Sequence, residues 1–149
     1  MRLVIQKVSE ADCRVDGKIT GKIGKGFMVL VGIGTDDDEE TVEKMAVKMS
    51  KLRIFEDENG KINLSIYDVE GEILSISQFT LYADCKKGNR PSFTDAQGGE
   101  KAERLYLYFN ECLRNLDLHV EEGIFGAHME ISLVNDGPVT IILDSEVLW

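Results

Sequence analysis

The chain has 149 residues, of which 43% are hydrophobic and 30% charged, and its formal net charge is −10. That length suits one domain with its own core, and the acidic balance argues against broad binding to nucleic acid through phosphate neutralisation. Cys13, Cys85 and Cys112 lie far apart, His119 and His128 have no ligand spacing, and no apolar run approaches the ~18 residues of a membrane span, so disulfide frameworks, zinc sites and spanning helices are not indicated.

The opening, Met1-Arg2-Leu3-Val4-Ile5-Gln6-Lys7, stops being apolar after three residues and lacks the core of a signal peptide, so a cytoplasmic protein is expected. Arg2 to Val15 reads as a strand, Asp16-Gly17-Lys18 as its turn, and Lys18 to Ile23 as a strand pairing back. Phe27 to Ile33 is a continuous apolar run, the pattern of a strand buried on both faces. The glycines of Gly21 to Gly26 and Gly32-Ile33-Gly34 complete neither a Walker loop nor a dinucleotide fingerprint, and they read as turns.

Thr41 to Leu52 places Val42, Met45, Ala46, Met49 and Leu52 at helical spacing. The acidic run Asp36-Asp37-Asp38-Glu39-Glu40 precedes that helix, where its macrodipole favours negative charge. A calcium loop would need alternating ligands and a central glycine, which are missing. Arg53-Ile54-Phe55 reads as a short strand, and Glu72 to Tyr82 as a longer one. Glu100 to Leu116 is a second amphipathic helix, with Ala102, Leu105, Phe109, Leu113 and Leu116 on one face. From Leu118 the chain returns to strands, and the apolar segment Val139 to Trp149 is a candidate surface against another subunit. The fold class is α+β: a β-rich single domain over residues 1–149, with mixed or antiparallel sheets and two main amphipathic helices.

Two segments carry chemistry. In Ser77-Gln78-Phe79-Thr80-Leu81 an apolar strand acquires three hydrogen-bonding side chains. Strand alternation would send Ser77 and Phe79 to one face and Gln78 and Thr80 to the other. Gln78 and Thr80 can then hold an acyl or ester group, one by its amide and the other by its hydroxyl. No Gly-x-Ser-x-Gly elbow is present, and nothing in the spacing supports a triad of Ser77, His128 and an aspartate. The second segment is Asn135-Asp136-Gly137-Pro138-Val139-Thr140, which contains one of only two prolines in the chain. An Asp-Gly pair between two strand-like flanks signals a sharp reversal, while Pro138 belongs at an edge, a bulge or a strand's first residue. The Gly137-Pro138 bond is a candidate for the cis isomer. Between the two segments, Lys86-Lys87-Gly88-Asn89-Arg90 is a compact basic loop, either solvated charge or a local guide for phosphate.

Ser77-Gln78-Phe79-Thr80-Leu81 followed by Asn135-Asp136-Gly137-Pro138-Val139-Thr140 resembles the D-aminoacyl-tRNA deacylase family. Arg90-Pro91-Ser92-Phe93, Gly123 to Met129 and the opening Met1 to Val8 resemble that family too, so the resemblance runs from end to end. It implies hydrolysis of the ester between a D-amino acid and the terminal adenosine of tRNA, and of the glycyl ester misloaded on alanine tRNA. It also implies a homodimer, barrel-like across the two subunits, with the site at their interface and no metal or organic cofactor. By analogy Ser77, Gln78 and Thr80 serve the chemistry, and Phe79, Phe125, Gly126, Ala127 and Met129 border the substrate. A cis Gly137-Pro138 peptide from the partner selects chirality. Lys86, Lys87 and Arg90 are candidates for tRNA phosphates, with neither DNA nor membrane as partner. Thr80 has no histidine or lysine beside it in sequence to act as base, which favours a positioning role over a nucleophile. A noncatalytic module that binds RNA ends or nucleotides is the alternative, and an oligomerisation domain whose Gly-Pro turn only shapes an interface is a third reading.

Overall fold

Around the long strand β1 (Arg2–Val15) the rest of the chain is arranged, in a computed structural model that describes residues 1–149. Asp16 and Gly17 both take positive φ (50° and 75°), a two-residue turn that matches the twist of the flanking strands. This turn brings β2 (Lys18–Ile23) back antiparallel along Ala11 to Val15. The other half of the same β1 edge, Arg2 to Val8, pairs antiparallel with β3 (Gly26–Gly32). As its apolar run suggests, β3 is buried on both faces.

Next to β3 lie β6 (Glu72–Ser77) and then β7 (His119–Glu122), both parallel to it. Parallel neighbours need long crossovers, and the chain supplies them. The first contains α1 (Glu39–Ser50) and a separate two-stranded sheet of β4 (Arg53–Glu56) and β5 (Ile62–Ser65). The second contains α2 (Gly99–Asn115). At the rim of the sheet, a β-carbon on Gly21 of β2 would fall 2.9 Å from the Glu122 carbonyl oxygen of β7. The two ends approach that closely, so the mixed sheet curls into a nearly closed barrel within one chain. A similar close approach explains Gly26, where a β-carbon would sit 1.8 Å from the Glu72 carbonyl oxygen.

The helices cover the sheet as their periodicity requires. Val42, Met45, Ala46 and Met49 of α1 and Leu105, Tyr106, Phe109 and Leu113 of α2 are buried with Leu3, Ile5, Val29 and Ile73 of the sheet. Each large apolar side chain removed from water contributes about 1.5–3 kcal/mol. Neither helix, nor any other, is long and apolar enough to cross a membrane.

The acidic run opens α1 as expected, with Asp38 as its N-cap and Glu39 and Glu40 in its first turn, while Asp37 is buried and accepts from the Met1 ammonium and the Gly34 amide, each at 2.6 Å. Three expectations change. The strand expected to reach Tyr82 ends at Ser77, and Phe79–Tyr82 forms a turn of 3-10 helix. The alternation proposed for Ser77 through Thr80 therefore does not hold. The final segment stops being a strand at Asp144 and closes with α3 (Ser145–Leu148).

The third change concerns Gly137-Pro138. No reversal occurs there: β8 (Glu130–Asp144) runs antiparallel along nearly the whole of β1, from Arg2 opposite Asp144 to Arg14 opposite Glu130. Gln6 faces Thr140 and Val8 faces Asn135, which leaves Lys7 alone opposite Asp136, Gly137, Pro138 and Val139. The proline is tolerated because these residues bulge out of a strand that has only β1 as its neighbour. Its peptide bond with Gly137 is cis.

Candidate active site

Two chain segments part company where the β6–β7 ladder ends, and the cleft opens between them. Ser75 pairs with Glu122, the last register of that ladder. Beyond it, one strand continues through Ile76 and Ser77 to Gln78 and Phe79, while the other leaves as the loop Gly123 to Met129. Together with the ends of β3 (Val31, Ile33) and the first turns of α2, these segments enclose a cleft of about 620 Å³. That size lies within the ~300–1,000 Å³ common for small-ligand sites.

Most of the sequence-derived site residues meet here. Ser77, Gln78 and Phe79 line one wall, and Phe125, Gly126, Ala127 and Met129 the other. The Gln78 amide N–H still donates to the Val31 carbonyl at 2.8 Å, so the side chain is held beside the sheet although its residue has left the strand. Phe79 is 55% exposed and packs edge-on against Phe93, with ring centroids 5.1 Å apart. Thr80 does not line the cleft. It stands exposed on the 3-10 turn, where its Oγ1 accepts from Gln78 Nε2 at 2.5 Å. The far end of that turn is anchored by Arg2, whose guanidinium donates to the Leu81 carbonyl and to Asp144, both at 2.9 Å.

Other expected site residues fall outside the cleft. Gly137 and Pro138 are exposed on the β8 bulge and do not line the cleft of their own chain. The bulge is nonetheless braced. Asn135 Oδ1 accepts from the Val139 amide at 3.1 Å, and its Nδ2 donates to Thr140 Oγ1 at 3.1 Å. Lys86, Lys87 and Arg90 are exposed in a loop closed by paired backbone hydrogen bonds between Asp84 and Ser92 (2.8 and 2.9 Å). That loop leads directly into Phe93, which does line the cleft.

Residues that the sequence reading did not assign complete the site: Phe93, Ala96 and Gln97 from the segment before α2, and Gly98, Gly99, Ala102 and Tyr106 from α2 and its cap. Tyr106 had a local signal, since it lies one helical turn beyond Ala102 on the apolar face. For Phe93 and Gln97 the placement depends on non-local bonds, such as Gln97 N–H to the Ile33 carbonyl at 2.9 Å.

The cleft walls carry amides, hydroxyls and one imidazole, that of His128. No aspartate, glutamate, lysine or arginine lines the cleft. Ser77 and His128 both border it, but no hydrogen bond joins them and no triad is assembled. Burial pushes the Tyr106 phenol above its ordinary pKa, which keeps it a protonated donor. Nowhere do three or more His, Cys, Asp or Glu side chains gather in a metal-binding arrangement. What remains is an apolar slot edged by amides, hydroxyls and the His128 imidazole, able to orient a small acyl group and bind its carbonyl oxygen.

Comparison with known proteins identifies the lineage of this site. The family model described as D-Tyr-tRNA(Tyr) deacylase matches residues 4–144. A D-aminoacyl-tRNA deacylase of Thermosipho africanus is 53% identical over 149 residues, covering all of both chains. One of Bacillus cytotoxicus is 57% identical over 146 residues, 98% of this chain and all of the relative. Among solved structures, one described as c-Myc DNA Unwinding Element Binding Protein superposes with a TM-score of 0.90 at 43% identity, covering 97% of this chain and 98% of the other. Another, described as a probable eukaryotic D-amino acid tRNA deacylase, shares the fold with a TM-score of 0.82 at 19% identity, covering 95% and 97%. On the match across nearly its whole length, the chain belongs to the D-aminoacyl-tRNA deacylase family.

Proposed function

We propose that the protein hydrolyses the ester between a D-amino acid and the 3′-terminal adenosine of tRNA, and likewise the glycyl ester misloaded on alanine tRNA. The observation that carries this reading is the cleft between Ser77-Gln78-Phe79 and Phe125–Met129, lined by no carboxylate, lysine or arginine, in a chain related to deacylases over its full length. An ester to ribose is activated relative to an amide, so positioned donors and an oriented water suffice without a charged base. Gln78 and Ser77 orient the ester, and Thr80 supplies a hydroxyl at the rim. The neighbouring ribose hydroxyl of the substrate assists the attacking water.

Chiral selection then falls to main-chain groups, which sense the directions of substituents at the Cα but not the identity of the side chain. The Gly137-Pro138 peptide supplies them from a partner subunit, since it does not reach the cleft of its own chain. A homodimer built on β8 suits this role. The strand has one free edge, and Val134 and Ile142 on it are 49% and 68% exposed. Lys86, Lys87 and Arg90 sit on the loop next to Phe93, where they meet the phosphates of the acceptor end.

The lack of a charged acid–base pair also suits a module that binds RNA ends without turning them over. One experiment separates the readings: the purified protein is mixed with a molar excess of D-tyrosyl-tRNA. Release of several equivalents of amino acid per chain supports the enzyme. Protection of the ester without release supports the binder, and neither outcome leaves only a role in assembly.

A further inference from the structure

Beneath the cleft, the interface between α2 and the sheet contains polar groups that its packing does not require. Ser75 and Asn110 are both 0% exposed, and Tyr106 is 1% exposed, among Ala102, Leu105, Phe109 and Leu113. The Tyr106 hydroxyl donates to the Ser75 carbonyl at 2.7 Å. The same carbonyl accepts from the Gly123 amide at 3.2 Å. Asn110 lies one helical turn beyond Tyr106 with its amide near that hydroxyl, yet neither of its polar atoms is paired in hydrogen-bond geometry. The Ser75 hydroxyl is likewise unpaired. Buried polar atoms without partners are costly, and an apolar residue of similar shape at Asn110 would remove that cost.

The location of this cluster suggests why it is kept. Ser75 and Gly123 stand at the fork where the two walls of the cleft separate. A single phenol touches both branches there: its hydroxyl holds Ser75, two residues before Ser77, and its ring packs against Phe125 with centroids 6.1 Å apart. We infer that Tyr106, with Asn110 behind it, is a positioning residue that fixes the spacing between the Ser77-Gln78 wall and the Phe125 wall. It acts on the reaction through those walls and not by proton transfer. The inference rests on the deacylase reading of the same cleft.

The test compares wild type, Tyr106→Phe and Asn110→Leu for steady-state hydrolysis of D-tyrosyl-tRNA and for thermal unfolding. Tyr106→Phe keeps the ring and should lower kcat by about fivefold to tenfold, the rate equivalent of one neutral hydrogen bond, with KM within about twofold. Asn110→Leu should raise the melting temperature while lowering kcat, a combination that a purely structural polar group does not produce. Unchanged kcat in both variants would overturn the inference, and so would a loss that follows melting temperature or appears only in KM. Should Tyr106→Phe fail to fold, Asn110→Leu decides alone. If the wild type releases no D-tyrosine, the deacylase reading itself fails, which is a different result from equal rates in all three proteins.

Discussion

Gln78 and Thr80 are joined by a hydrogen bond in which the Gln78 amide nitrogen donates to Thr80 Oγ1 across 2.5 Å. A donor on that oxygen occupies one of its two lone pairs and leaves the Thr80 proton free to be donated, an arrangement that suits a positioning hydroxyl. Thr80→Ala should therefore lower kcat by about tenfold without abolishing turnover, and Thr80→Ser should restore most of it. Rapid-quench kinetics with mass spectrometry checks this. An acyl group trapped on Thr80 would restore the nucleophile.

How far this arrangement was legible differs between its two partners' surroundings. The β1–β2 hairpin and both long helices follow from local patterns: Asp16-Gly17 at the turn, and apolar positions at helical spacing from Val42 and from Ala102. The 3-10 turn at Phe79–Tyr82 was hidden because Gln78-Phe79-Thr80-Leu81 alternates polar and apolar like a strand, although Phe79 and Leu81 fall on the phase of Ser75 and Ser77 and not on that of Leu74 and Ile76. The bulge at Asp136 to Val139 was hidden for a different reason. Asp-Gly-Pro reads as a reversal, and only the pairing of both flanks with the same strand, β1, keeps the chain running straight. Tyr106 looks like one more core aromatic until its hydroxyl is seen on Ser75.

Asn135 braces the bulge through Val139 and Thr140, so its removal should loosen the Gly137-Pro138 segment while leaving the rest of β8 paired. Asn135→Ala is expected to reduce kcat/KM for D-tyrosyl-tRNA by about tenfold and to lower the melting temperature by only about 2–4 °C. Activity equal to wild type with the same loss of stability would separate the bulge from the reaction.

The loop at Lys86, Lys87 and Arg90 carries three cations on an otherwise acidic protein of net charge −10. Replacing Lys86 and Arg90 by glutamine should weaken tRNA binding and flatten the slope of log affinity against log salt by about one unit for each phosphate no longer neutralised. Equilibrium binding at several salt concentrations reads this out. Unchanged affinity and slope would mean that the loop is only solvated.

Asp38 holds its carboxylate below the ordinary range, chiefly through the hydrogen bond from the Thr41 amide at the start of α1. A depressed folded-state pKa gives stability that is present above the unfolded value of 3.8 and is lost as pH falls through the folded value. Asp38→Ala should accordingly melt below wild type at neutral pH, and the gap should narrow as pH drops below about 4. A gap that stays constant down to about pH 2, followed by thermal unfolding, would show that the charge of this cap does not stabilise α1.

Chiral hydrolysis of an aminoacyl ester is tested most directly by a paired time course with D-tyrosyl-tRNA and L-tyrosyl-tRNA under identical conditions. Catalytic amounts of the protein should release the D-amino acid within minutes while the L-ester decays at its uncatalysed rate. Equal release of both would show an esterase without chiral selection, and release of neither would contradict the assignment of this cleft as a deacylase site.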